Sequence, residues 1–256
     1  MSAAREIANL RSIPTNGNIL LDYTAGDALD GTGTCNIAAG LNALGAATSG
    51  DDNVAIGRLA LGAGVTTGND NIAIGATAGD ALTSGSNNIA IGDTALSAAT
   101  TSSHNVAIGY AALVASVDDG ENNVAIGRAA MGGGDVSGDS NVAIGYATMD
   151  ALTSGGDNVA VGRNALGAAT NNNNNVAVGY NALATTVNDG HDNVAIGHTA
   201  MGGADVSGGT NIAIGKYAAD ALTSGACNIA MGLNALGAAT TGCDNVAMGF
   251  CAMHVN

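Results

Sequence analysis

The side chains here that could do recognition chemistry share one spacing. Arg58, Arg128, Arg163 and Lys216, together with Tyr110, Tyr146, Tyr180, His198 and Phe250, each lie five residues after an asparagine. Tyr and Arg are favoured at recognition surfaces because they combine apolar area with directed hydrogen bonds. Such a column reads as a solvated edge, a subunit contact or a ligand contact, and Tyr110, Tyr146, Arg163 and Tyr180 are its candidates for surface recognition. Acidic residues gather just before the asparagines, as in Asp51-Asp52, Asp118-Asp119-Gly120-Glu121 and Asp189-Gly190-His191-Asp192. These are oxygen ligands of the kind calcium prefers, but the nonapeptide of calcium-binding β-rolls is absent, so solvated turns are expected. His104, His191, His198 and His254 share no register, and Cys35, Cys227, Cys243 and Cys251 form no metal-ligand spacing. With no nucleophile elbow, phosphate loop or recurring carboxylate pair, no catalytic residue, metal or cofactor is expected.

The asparagines that set this spacing open a stretch of the form Asn-Val-Ala-Ile-Gly, as at 123–127, repeated from Asn36 to Asn245 every 17 or 18 residues. A fixed period of this size marks stacked structural units. Alternation within the stretch puts the Val/Ile pair on one face of a strand and the intervening Ala on the other. Hydrophobicity assigns the Val/Ile face to the inside of a coil, leaving an unbroken Ala column facing outward against something closely packed. The Gly that follows permits a positive φ or a close backbone approach, and the asparagine is expected to cap the incoming turn. The second half of each coil carries pairs such as Ala165-Leu166, too short for a helix, and is expected to form a second strand or extended segment.

Composition agrees with a thin, repetitive core. Hydrophobic residues make up 46% but aromatics only 2%, and 40 Gly stand beside a single Pro. The fold class expected is all-β, a parallel β-solenoid, with a cap or docking segment at 1–17 and about 13 full coils plus a partial one over 18–256. The first coil, from Asn18, is degenerate: Ile19-Leu20-Leu21-Asp22 replaces the usual stretch. A longer period of 69 or 70 residues, as from Asn105 to Asn175 and on to Asn245, groups four coils into a cassette. The net charge of −15, with six Lys and Arg, argues against nucleic acid. No apolar run is long enough to insert in a membrane, and no signal-peptide pattern opens the chain. The coil that starts at Asn245 stops after 12 residues, so this end is expected to dock on another copy or another fibre protein.

The repeat of Asn-Val-Ala-Ile-Gly, an Ala-Leu pair and a Thr/Gly/Asn turn resembles the head repeats of YadA-like trimeric adhesins and related repeats of bacteriophage tail fibres, over about Asn36 to Phe250. The resemblance implies a left-handed β-roll and a homotrimer with the small-residue strand face at the subunit contact. That role would fall to Ala55, Ala73, Ala90, Ala107, Ala125, Ala143, Ala160, Ala177, Ala195 and Ala213. The coils are longer than those of adhesin heads, and no stalk or membrane barrel is visible, which favours a phage-like fibre. The expected function is therefore non-enzymatic: a virion or extracellular fibre component that attaches to a host-surface receptor and joins other particle proteins at its ends. A purely structural filament or connector is the alternative. An ice-binding solenoid is a third, because Thr48, Thr83, Thr100, Thr153, Thr170, Thr223 and Thr240 share a position twelve after the asparagine, though as one column and not a paired array.

Overall fold

In the computed structural model, residues 16–22, 24–29, 31–116, 120–186 and 189–254 are described. The expected cap at 1–17 lies almost wholly outside them, as do Val117, Asp118, Asp119 and Val187. The chain divides into two compact units between Asn122 and Asn123. The first contains β1 (Ile19–Leu20), β2 (Ile37–Ala39), β3 (Val54–Ile56), β4 (Ile72–Ile74), β5 (Ile89–Ile91) and β6 (Val106–Ile108). The second contains β7 (Val124–Ile126), β8 (Val142–Ile144), β9 (Val159–Val161), β10 (Val176–Val178), β11 (Val194–Ile196), β12 (Ile212–Ile214), β13 (Ile229–Met231) and β14 (Val246–Met248). Within each unit every strand pairs in parallel with the next in sequence, Ala on Ala: Ala55 opposes Ala73 in the first and Ala143 opposes Ala160 in the second. This is a parallel β-solenoid that gains one strand per coil, and no helix occurs among the described residues.

The facing of the strand reverses the expectation from the sequence. Ala55, Ala73, Ala90, Ala107, Ala125, Ala143, Ala160, Ala177, Ala195 and Ala213 are 0–1% exposed within a single chain, so they point into the coil and cannot form a subunit contact. The Val/Ile pair points outward: Ile56, Ile74, Ile144, Val159, Ile196 and Ile212 are all 37–41% exposed. The reason is volume. The interior is filled from the other side of the coil by larger groups, Leu61, Leu96, Met131, Met149, Leu166 and Met201 among them, and only a methyl fits opposite them.

In one coil a glycine and a leucine trade places within the interior. Most coils carry Leu or Met eight residues after the asparagine, but the coil at Asn71 has Gly79 there and Leu82 three residues on. A Cβ on Gly79 would lie 3.1 Å from both Leu61 Cδ2 and Leu82 Cδ1, which is too close for ordinary packing. The degenerate first coil uses the same device. Leu20 occupies the inward Ala position at 7% exposure while Ile19 faces out at 44%, and Gly26 leaves the room that Leu20 needs, since a Cβ there would come 2.8 Å from Leu20 Cδ2.

The asparagine bonds the incoming turn, as Asn158 Nδ2 does to the Gly156 carbonyl at 3.1 Å and Asn175 Nδ2 to the Asn173 carbonyl at 3.0 Å, and it also bonds between coils. Asn158 donates its backbone N–H to Asn141 Oδ1 at 3.1 Å, and its Nδ2 donates to the Asn172 carbonyl 14 residues on at 2.7 Å. Its own Oδ1 accepts the N–H of Asn175 at 3.0 Å. Repeated from Asn18 to Asn105 and from Asn123 to Asn245, this makes a buried amide ladder in each unit that satisfies polar groups which would otherwise be costly inside. The left-handed residue is the one before the asparagine, such as Asp157 at φ 57 and Asn174 at φ 57. The second half of each coil forms turns in place of the expected second strand, with left-handed residues at alternate positions, as Asn164 (φ 56) and Leu166 (φ 49).

Candidate functional site

Beyond the core, each coil adds the same two features to the surface of its unit. The outer sheet face is the first. In the second unit β7 to β14 contribute Val, Ile or Met at both outward positions, and no polar or charged residue interrupts them. Ile144 is 38% exposed and Val159 37% in the middle of the stack, and Val246 and Met248 exceed 60% on β14. A parallel sheet ordinarily has both faces covered. Here one is covered by the chain's own coil and the other is open.

The second feature follows the glycine that ends each strand. Gly162 has φ 131, and a Cβ there would lie 2.5 Å from the carbonyl oxygen of Gly179, so successive chains stack at this corner without side chains. The next residue is thereby thrown outward at the same place in every coil. In the second unit this aligns Arg128, Tyr146, Arg163, Tyr180 and His198 into a ladder. The Arg128 guanidinium lies 5.8 Å from the centroid of the Tyr146 ring, and Arg163 lies 5.4 Å from Tyr146 and 5.8 Å from Tyr180. Tyr180 and His198 follow at 5.0 Å between centroids, and His198 meets Tyr217 edge-on at 5.5 Å. The Lys216 ammonium sits 4.9 Å from the Tyr217 ring. Each cation over a ring face gains about 0.5–1 kcal/mol at an exposed site, so the ladder is held in shape while remaining open to solvent: Tyr146 is 45% and Tyr180 42% exposed.

Of the four candidates for recognition, Tyr146, Arg163 and Tyr180 are brought together. Tyr110 is exposed in the first unit. Tyr217 stands six residues after its asparagine and so escapes a reading based on one register. In the second unit the positions five and six after the asparagine hold no acidic residue, although the chain has 21 Asp and Glu against six Lys and Arg. Beside the ladder runs an open groove of about 310 Å³ lined by Ala147, Asp150, Asn164, Gly167, Asn181 and Ala184. Desolvation by partial burial raises the Asp150 carboxyl above its usual range, offset in part by the Gly133 N–H. Asp80 and Asp220, at the same register in other cassettes, are raised for the same first cause.

The remaining chemistry is spoken for or dispersed. The hydroxyls of Thr83, Thr153 and Thr223 donate to the carbonyls of Thr100, Thr170 and Thr240 in the following coil at 2.8–2.9 Å, so they tie coils together. Cys35, Cys227, Cys243 and Cys251 are free thiols. Among the described residues, no three His, Cys, Asp or Glu side chains gather where a metal ion could be held, and no helix is long and apolar enough to cross a membrane. Comparison with protein-family models, with curated proteins and with solved structures gives no match.

Proposed function

We propose that this protein is a non-enzymatic structural and attachment protein, a fibre or spike segment of a phage-like or other extracellular particle, and that it works as a homotrimer joined through its outer sheet faces. The observation that carries this reading is the uninterrupted Val/Ile/Met surface of β7 to β14. With strands about 4.8 Å apart, it is a flat apolar strip on the order of 35 Å long. Strips of that kind on water-soluble proteins are covered by a partner. The partner that fits best is another copy, because an identical stack has the same coil spacing and places branched side chains against branched side chains along its whole length. The number three comes from the resemblance to trimeric adhesin heads.

An acidic, lysine-poor surface keeps such assemblies soluble and away from nucleic acid. Sedimentation velocity over a hundredfold range of concentration should give one species at three times the chain mass of 24.5 kDa; a 24.5 kDa species throughout would overturn the assembly. Immunogold labelling places it in the cell: gold on surface or virion projections is expected, and gold confined to the cell interior would remove the attachment role.

A further inference from the structure

The ladder and the groove beside it have complementary chemistry, and neither is used by the self-association described above. We propose that together they bind an acidic linear polysaccharide of the uronic acid type, with the sugar faces on the tyrosine rings, the carboxylates towards the cations and the hydroxyls towards the groove. This rests on the attachment reading and names its ligand class.

First, in the second unit all the cations, Arg128, Arg163 and Lys216, lie in this one strip, and no Asp or Glu occupies its two registers. In a chain of net charge −15, an anionic ligand is steered to this strip and repelled elsewhere. Second, the rings of Tyr146, Tyr180, His198 and Tyr217 line it: Arg163 bridges Tyr146 and Tyr180 at 5.4 and 5.8 Å, and Tyr180, His198 and Tyr217 follow at 5.0 and 5.5 Å between centroids. A pre-positioned row of rings along the stack suits a linear ligand with apolar faces, and the three tyrosines lose little side-chain freedom on binding because cation contacts already hold them. Third, Asn164 and Asn181 line the groove on the side of the strip, and Asn164 Nδ2 donates to Asn181 Oδ1 at 3.3 Å. Each amide keeps donor and acceptor capacity for hydroxyls, and the Asp150 carboxylate on the groove's wall offers a further acceptor to them. Simple anions satisfy only the first part and neutral glucans only the second and third.

The test uses the full chain and three polymers of similar length: polygalacturonate, dextran and polyglutamate. By isothermal titration or glycan-coated biosensor, polygalacturonate should bind saturably, at least tenfold more tightly than either of the others. Equal affinity for polyglutamate reduces the strip to a charge effect and overturns the proposal, as does equal affinity for dextran or no binding of polygalacturonate. The double variant Tyr146→Ser/Tyr180→Ser should weaken polygalacturonate binding at least tenfold with unchanged sedimentation, and Arg163→Gln should weaken it and flatten its salt dependence. Should the double variant misfold, the polymer comparison on the unaltered chain still decides. Loss of binding with the trimer intact rejects this inference alone; a monomer that still binds rejects only the assembly.

Discussion

Asn158 is bonded to the coil before it, to the coil after it and to its own turn, through Asn141 Oδ1, the Asn175 N–H and the Asn172 carbonyl. At 0% exposure none of these partners can turn to water when the side chain is removed. Asn158→Ala should therefore cost about 1–3 kcal/mol, read as a lowered urea midpoint, whereas Asn171→Ala at the half-buried turn position should cost less. Gly162→Ala belongs to the same scale: φ 131 and the nearby Gly179 oxygen leave no place for a methyl, and a loss of at least 1–3 kcal/mol is expected. The aspartates act in the opposite direction. Asp80, Asp150 and Asp220 have carboxyls raised from 3.8 chiefly by desolvation. A raised carboxyl is penalised when ionised, so its cost to stability is present above the folded-state value and is relieved as pH falls through it towards 3.8. Replacing all three by Asn should raise the melting temperature at pH 7, and the gain should vanish below the ordinary carboxylate range. A lower melting temperature at pH 7 would contradict the burial assigned to them.

At the scale of the element, the strand was legible in the sequence and its facing was not. Alternation in Val142-Ala143-Ile144 identifies a strand and two faces, but period-two patterns are symmetric about the sheet and do not say which face is inside. Hydrophobicity pointed to the branched residues; the invariant small residue was the better guide, because a narrow coil filled by Leu166 or Met149 admits only a methyl opposite. The polar turns before each asparagine were legible as turns, but the second half of the coil, expected as a second strand, is made of turns as well. Its chain path was not legible, because left-handed backbone at Leu166 or Met201 is disfavoured by local propensity and is imposed by stacking on the neighbouring coils. The ladder was half legible: one register aligned Arg128, Tyr146, Arg163, Tyr180 and His198, while Tyr217 entered from the adjacent position. A pair of substitutions one residue apart separates the faces. Ala143→Arg should unfold the coil, since a long charged side chain has no room inside, and Ile144→Lys should leave the circular dichroism of the folded chain unchanged. If both variants fold equally well, the assigned facing is wrong.

For the molecule as a whole, repetition does two things at once. It lets a core of small side chains grow coil by coil, so that each added repeat contributes its own burial and its own contact with a neighbour. It also multiplies every outward residue into a row, which is how single valines become an apolar strip and single tyrosines a ladder. In the proposed assembly the first row is the contact between copies, and the net charge of −15 confines such contact to faces free of charge. The measurement that tests this most directly is multi-angle light scattering on the unaltered chain and on Ile144→Lys/Ile196→Lys, two outward residues each 38% exposed in the single chain. The account predicts three times 24.5 kDa for the first and a folded 24.5 kDa monomer for the second; an identical mass for both proteins would contradict it.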